Sequence, residues 1–84
     1  MFFTISYDKN NDFATGEVVD DTFFLPSSDA FVKGKQNLCN IGFDFAGWNT
    51  EKDRTGTHYV PGDSITMTSN LTVYAVWLSV YKTF

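Results

Sequence analysis

Apolar residues recur at every second position in short runs along this chain, and clusters of turn formers separate the runs. That pattern predicts strands rather than helices. Phe3, Ile5 and Tyr7 alternate with Thr4, Ser6 and Asp8, which predicts a strand with one apolar and one polar face. Asp8-Lys9-Asn10-Asn11-Asp12 ends it in a turn. Phe13 to Gly16 is irregular. Glu17 to Leu25 is expected to be a short extended piece closed by Pro26, because proline cannot donate to a ladder. Ser27-Ser28-Asp29 reads as a turn, and Ala30 to Lys33 as a weak strand ended by Gly34. Gln36 to Ile41 is expected to hold one irregular helical turn, without a capping box.

Phe43 to Thr50 predicts a strand with an irregularity. Phe43 and Phe45 point one way, Ala46 and Trp48 the other, and Gly47 lies between the last two. A glycine inside a strand marks a bulge or a close backbone approach. A bulge here brings Phe45 and Trp48 onto a common core side. Glu51 to Thr57 is polar and turn-rich, and His58-Tyr59-Val60 runs into the turn Pro61-Gly62-Asp63. Ile65 and Met67 alternate with Thr66 and Thr68 in another short strand, and Ser69-Asn70 turns tightly. Leu71 to Leu78 is the strongest strand, apolar on both faces except at Thr72. Such a run predicts a central strand covered on each side. Residues 79–84 are expected to be a tail or linker after a domain spanning 1–78.

Together these elements predict a small, predominantly β or α+β domain. Its 84 residues bound it to one domain. A chain of this length buries only roughly 60–65% of the surface its unfolded form exposes. Nine Phe, four Tyr and two Trp supply the dense packing that this requires. Phe43, Phe45, Trp48, Tyr59, Tyr74 and Trp77 lie in or beside the strands and are assigned to the core. Phe23, Phe24 and Tyr81 fit no pattern and are candidates for an exposed contact patch. A net charge of −4, with the six Lys and Arg scattered, argues against a nucleic-acid partner. No apolar run has the length of a membrane-spanning helix. Met1-Phe2-Phe3 lacks a basic leader, so any export signal is expected to lie outside this chain.

Candidate chemistry is thin. Asp8, Asn10 and Asp12 occupy the first, third and fifth places of a calcium loop, but Phe13 and Val19 stand where a glycine and a bidentate Glu are needed. Gly42 and Gly47 have phosphate-loop spacing, yet Trp48-Asn49 follows instead of Lys and Ser or Thr. Cys39 reads as a buried, inert thiol, and His58 as a semi-exposed strand or loop residue. Asn70-Leu71-Thr72 fits a glycosylation acceptor. No nucleophile motif, metal-ligand set or cofactor motif is present, so no enzyme, metal or cofactor is expected.

Three motifs carry a resemblance. Gly42-Phe43-x-Phe45-Ala46-Gly47-Trp48-Asn49-Thr50 is followed by Gly56-x-x-Tyr59-x-Pro61-Gly62-Asp63 and then by Leu71-Thr72-x-Tyr74-Ala75-x-Trp77. In this order they resemble the Listeria–Bacteroides repeat, a family that includes the B repeat of internalin B. Phe3 to Asn10 looks like its first strand. Asn10-Asn11-Asp12 and Asp53-Arg54 depart from glycine-containing turns frequent in the family. The resemblance implies a small β-grasp-like, ubiquitin-like fold with little or no helix. It also implies tandem repeats in secreted or wall-anchored bacterial proteins. The motif residues Gly42, Phe43, Phe45, Gly47, Trp48, Tyr59, Pro61, Gly62, Leu71, Tyr74, Ala75 and Trp77 are then structural determinants. The expected function is a non-enzymatic module for adhesion or protein–protein contact, located outside the cell or on its wall. The expected partners are a protein or surface glycoconjugate and neighbouring repeats, with no nucleic acid and no direct membrane insertion. A stalk spacer and a carbohydrate-binding module are the alternatives.

Overall fold

The apolar run that begins at Leu71 becomes the middle of the fold. The computed structural model describes residues 1–80. Among these residues six strands form, β1 (Ile5–Asp8), β2 (Asp29–Phe31), β3 (Phe43–Asn49), β4 (His58–Tyr59), β5 (Ser64–Thr66) and β6 (Leu71–Ser79). One sheet has the order β1-β6-β3-β4, and β2 pairs with β5 in a separate ribbon. β6 runs parallel to β1, with Ile5 opposite Leu71 and Asp8 opposite Tyr74. On its other edge it runs antiparallel to β3. The strand reaches Ser79, and the Val80 N–H donates to Gly42 O at 3.0 Å; residues 81–84 of the expected tail lie outside the described residues.

The core lies between the sheet and a second layer. Ile5, Trp48, Val73 and Ala75 come from the sheet, and Val18, Ala30, Val32, Leu38 and Met67 pack on them from the ribbon and loops. A two-stranded ribbon is marginal alone, so β2 and β5 depend on this packing. Only one face of β6 is closed. Val73 and Ala75 are fully buried there, whereas on the opposite face Val76 is buried but Thr72 and Leu78 are exposed.

Three expectations need correction. Among the described residues there is no helix, so the α part of the α+β expectation is not found. At Gln36–Ile41 the chain instead makes a tight turn, closed by Leu38 N–H to Lys35 O at 2.9 Å with Gln36 at φ 49. Cys39 then exchanges two backbone hydrogen bonds with Thr15, at 2.8 and 2.9 Å. That sideways pairing outcompetes a helical turn too short to offset its nucleation cost. Glu17–Leu25, expected as a short extended piece, enters no ladder as a strand. Phe24 pairs with Phe3 in an isolated bridge, and residues 17–23 make no backbone–backbone hydrogen bond within the described residues. Asp20 and Asp21 suit strands poorly, and the Thr22 N–H turns back to Asp20 Oδ1 at 3.0 Å.

Candidate functional site

The glycine in β3 sets the geometry of the motif. Phe45 pairs with Trp77 and Trp48 with Ala75, so one extra residue sits in β3 between them. The bulge turns Phe45 and Trp48 to the same side, as the glycine predicts, and their rings meet edge to face at 5.0 Å. Gly47 adopts φ 120, and a Cβ there would lie 2.7 Å from Tyr59 O and 2.9 Å from the His58 ring. Tyr7 meets Trp48 at 4.8 Å and Phe45 meets Trp77 at 5.9 Å. Such pairs add about 0.5–1.5 kcal/mol each beyond their burial.

The polar tips of these rings bind backbone. Trp48 Nε1 donates to Lys33 O at 2.9 Å, and the Lys33 N–H donates to the Tyr7 hydroxyl at 3.0 Å. Two sheet side chains thus hold both polar groups of one residue in the second layer. Trp77 Nε1 donates to Lys9 O at 2.7 Å and anchors the turn after β1.

The remaining motif residues are also architectural. Gly42 takes φ 87 before β3. Tyr59 is half-buried opposite Trp48. Val60-Pro61-Gly62-Asp63 is closed by Asp63 N–H to Val60 O at 3.0 Å, with Gly62 at φ 94, as a type II turn requires. Leu71 packs against the core and Ala75 is buried. Tyr74 is half-buried beneath the Lys52 ammonium, 5.6 Å from its ring centre. Phe43 departs from its core assignment: at the strand's outer end, opposite Ser79, it is 39% exposed.

The thin chemical candidates resolve into local structure. Asp8 Oδ1 accepts the Asn10 N–H at 2.7 Å, and Asn10 Nδ2 donates to Lys52 O and Ala75 O. Gly42 and Gly47 flank and interrupt a strand, not a phosphate loop. His58 is exposed on β4. Cys39 is exposed, contrary to the expected burial, because its bridge to Thr15 holds it at the surface. Asn70 Oδ1 accepts the Thr4 N–H at 3.0 Å. Among the described residues no three His, Cys, Asp or Glu side chains are placed to hold a metal ion, and no helix is long and apolar enough to cross a membrane. Burial raises the Tyr7 phenol, and bonds from Thr55 lower the exposed Asp53 carboxyl.

Large apolar side chains are exposed at several places, among them Phe13, Phe31 and Ile41; around β1 two of them meet beside a groove. Phe23 is 69% exposed, as expected, and it meets the 58% exposed Phe2 edge to face at 6.1 Å. Phe24 does not join them, because its bridge to Phe3 turns it onto the core. Tyr81 lies outside the described residues. A cavity of about 650 Å³ opens between β1 and residues 17–23. Sequence reasoning missed it; the Asp20-Asp21 pair inside the expected extended piece was the available signal.

Comparison with known proteins places the chain. The model of the Listeria-Bacteroides repeat domain family matches residues 3–76. Two proteins of Evansella cellulosilytica are similar. One, named "Putative membrane protein", is 40% identical over 78 residues, which is 92% of this chain and 12% of that protein. The other, named "Putative Gly-rich membrane protein", is 38% identical over 74 residues, covering 86% of this chain and 9% of its own length. The chain thus spans a small fraction of the curated relatives it matches. No solved structure matches it significantly.

Proposed function

The chain belongs to the Listeria–Bacteroides repeat family, and from that premise we propose that it is a non-catalytic contact module of a bacterial envelope protein. The observation that carries this reading is the Phe2–Phe23 pair. Two large aromatics stand mostly exposed and against each other, beside a core that is complete without them. Contiguous exposed apolar surface favours an interaction site, and this pair adds to the apolar wall of the neighbouring groove. Their edge-to-face packing at 67° gives no flat platform for a sugar ring, which favours a protein partner over a carbohydrate. The relatives' names favour an envelope setting.

The same premise favours a β-grasp relationship. Parallel first and last strands, with the last antiparallel to β3, fit the ladder of that fold. Ala30, Val32 and Leu38 pack on the sheet in the core, which supports a covering layer of the kind that fold carries.

The test is to immobilise the domain and probe it with envelope fractions and host surface proteins. A saturable partner, lost with the unfolded Trp48→Ala variant and weakened by Phe23→Ser, is the expected result. A folded domain that retains nothing overturns the contact reading in favour of a passive spacer.

A further inference from the structure

β1 is an edge strand whose outer side is only half used. The Leu71 N–H bonds to Thr4 O at 3.0 Å, and the Thr4 N–H bonds to Asn70 Oδ1. Thr4 therefore faces β6. Backbone groups of successive strand residues face opposite edges, so Ser6 and Asp8 also face β6, while Phe3, Ile5 and Tyr7 face outward. Phe24 fills the outward groups of Phe3, donating and accepting at 2.8 Å. Beyond that bridge the chain diverges. Among the described residues, 17–23 offer no backbone bond to Ile5 or Tyr7, and the cavity of about 650 Å³ separates them. The result is a ladder pinned at one end and open at the other.

The open end has a definite chemistry. Val18, Val19 and Phe23 give it apolar surface, and Glu17, Asp20 and Asp21 give it negative charge; among the described residues no Lys or Arg lines it. The geometry points to β1 as a strand-addition site for an extended, Lys- or Arg-bearing peptide, which pairs with the outward backbone groups of Ile5 and Tyr7 and sets its cations against Glu17, Asp20 and Asp21. Main-chain pairing supplies affinity in this mode, and alternate side chains supply selectivity. A second copy of the chain fits poorly, because its own acidic rim would face this one; inward-facing charge of one sign is a common guard on a free edge. This inference rests on the contact-module reading and names the partner chemistry of one surface.

The test uses the ¹⁵N-labelled domain and a synthetic peptide of alternating Lys and Val, with a Glu–Val peptide as the counterpart. The Lys peptide is expected to protect the Ile5 and Tyr7 amides from exchange and to shift signals from residues 17–23. Asp20→Lys with Asp21→Lys should weaken it at least about tenfold, because reversed rim charges repel a cationic ligand. Asp21→Lys alone should weaken it less. These side chains lie outside the core, so folding can be checked on the β6 signals. No protection at Ile5 and Tyr7, or equal binding of the Glu peptide, overturns the inference. If the double variant still holds an envelope partner while the peptide protects nothing, the inference fails and the contact-module reading stands. If the peptide protects β1 while the domain retains no envelope partner, the strand-addition site stands and the contact-module reading fails.

Discussion

The peptide groups of Lys33 are gripped by two side chains, Trp48 on its carbonyl and Tyr7 on its N–H. Nothing in a Lys–Gly pair announces this, because the partners read backbone and not side chain. The bulge was legible, since a glycine that breaks an alternating aromatic pattern inside a strand marks a bulge or a close backbone approach. Gly47→Ala should destabilise by more than about 1 kcal/mol, as expected for a Cβ forced into a positive φ and against Tyr59 O at 2.7 Å. Gly34→Ala, whose Cβ would meet only Pro61 carbons at 4.0 Å, should be neutral or slightly stabilising; urea midpoints of the two variants separate these outcomes. Tyr7 adds a pH dependence. Burial raises its phenol above the ordinary 10.0, the Lys33 N–H opposes this, and the Asp20 charge adds to it. The unfolded chain therefore loses this proton first, and stability present below pH 10 falls as pH rises through the folded value. Tyr7→Phe should cost about 1 kcal/mol at neutral pH through the lost hydrogen bond and flatten the alkaline decline in urea titrations at pH 8 and pH 11.

At the level of elements, β6 was legible because an apolar run with β-branched and aromatic residues fits a buried strand. Its second face was over-read: Leu78 and Thr72 are exposed, and the run marks a central position without full cover on both sides. Residues 17–25 and 36–41 were not legible. Their conformations are fixed by distant partners, Phe3 for Phe24 and Thr15 for Cys39, and local propensity carries no trace of those. The two layers meet chiefly at Trp48, which is 0% exposed. Trp48→Ala should cost about 3–5 kcal/mol, a large part of the stability of so small a domain. Thermal unfolding at the wild-type temperature would show that the layers do not depend on this ring.

Over the whole molecule, the first strand and the last lie side by side in parallel, so the fold closes on contacts between its two ends. The family pattern was legible in the sequence because its residues sit where β3, the Val60–Asp63 turn and β6 demand particular side chains or a positive φ. The proposed contact surface was legible only at Phe23; the rest of it is unpaired backbone on β1, a diverging segment, and acids that fit no motif. The measurement that bears most directly on this division is native-state amide exchange on the free domain. The Val73, Ala75 and Trp48 amides should exchange only through global unfolding, while the Tyr7 amide, on the outer edge, exchanges faster than its neighbours Ser6 and Asp8. Equal protection of Tyr7 and Asp8 would mean that the outer edge of β1 is closed, and the division between a structural motif and an open edge proposed for contact would be wrong.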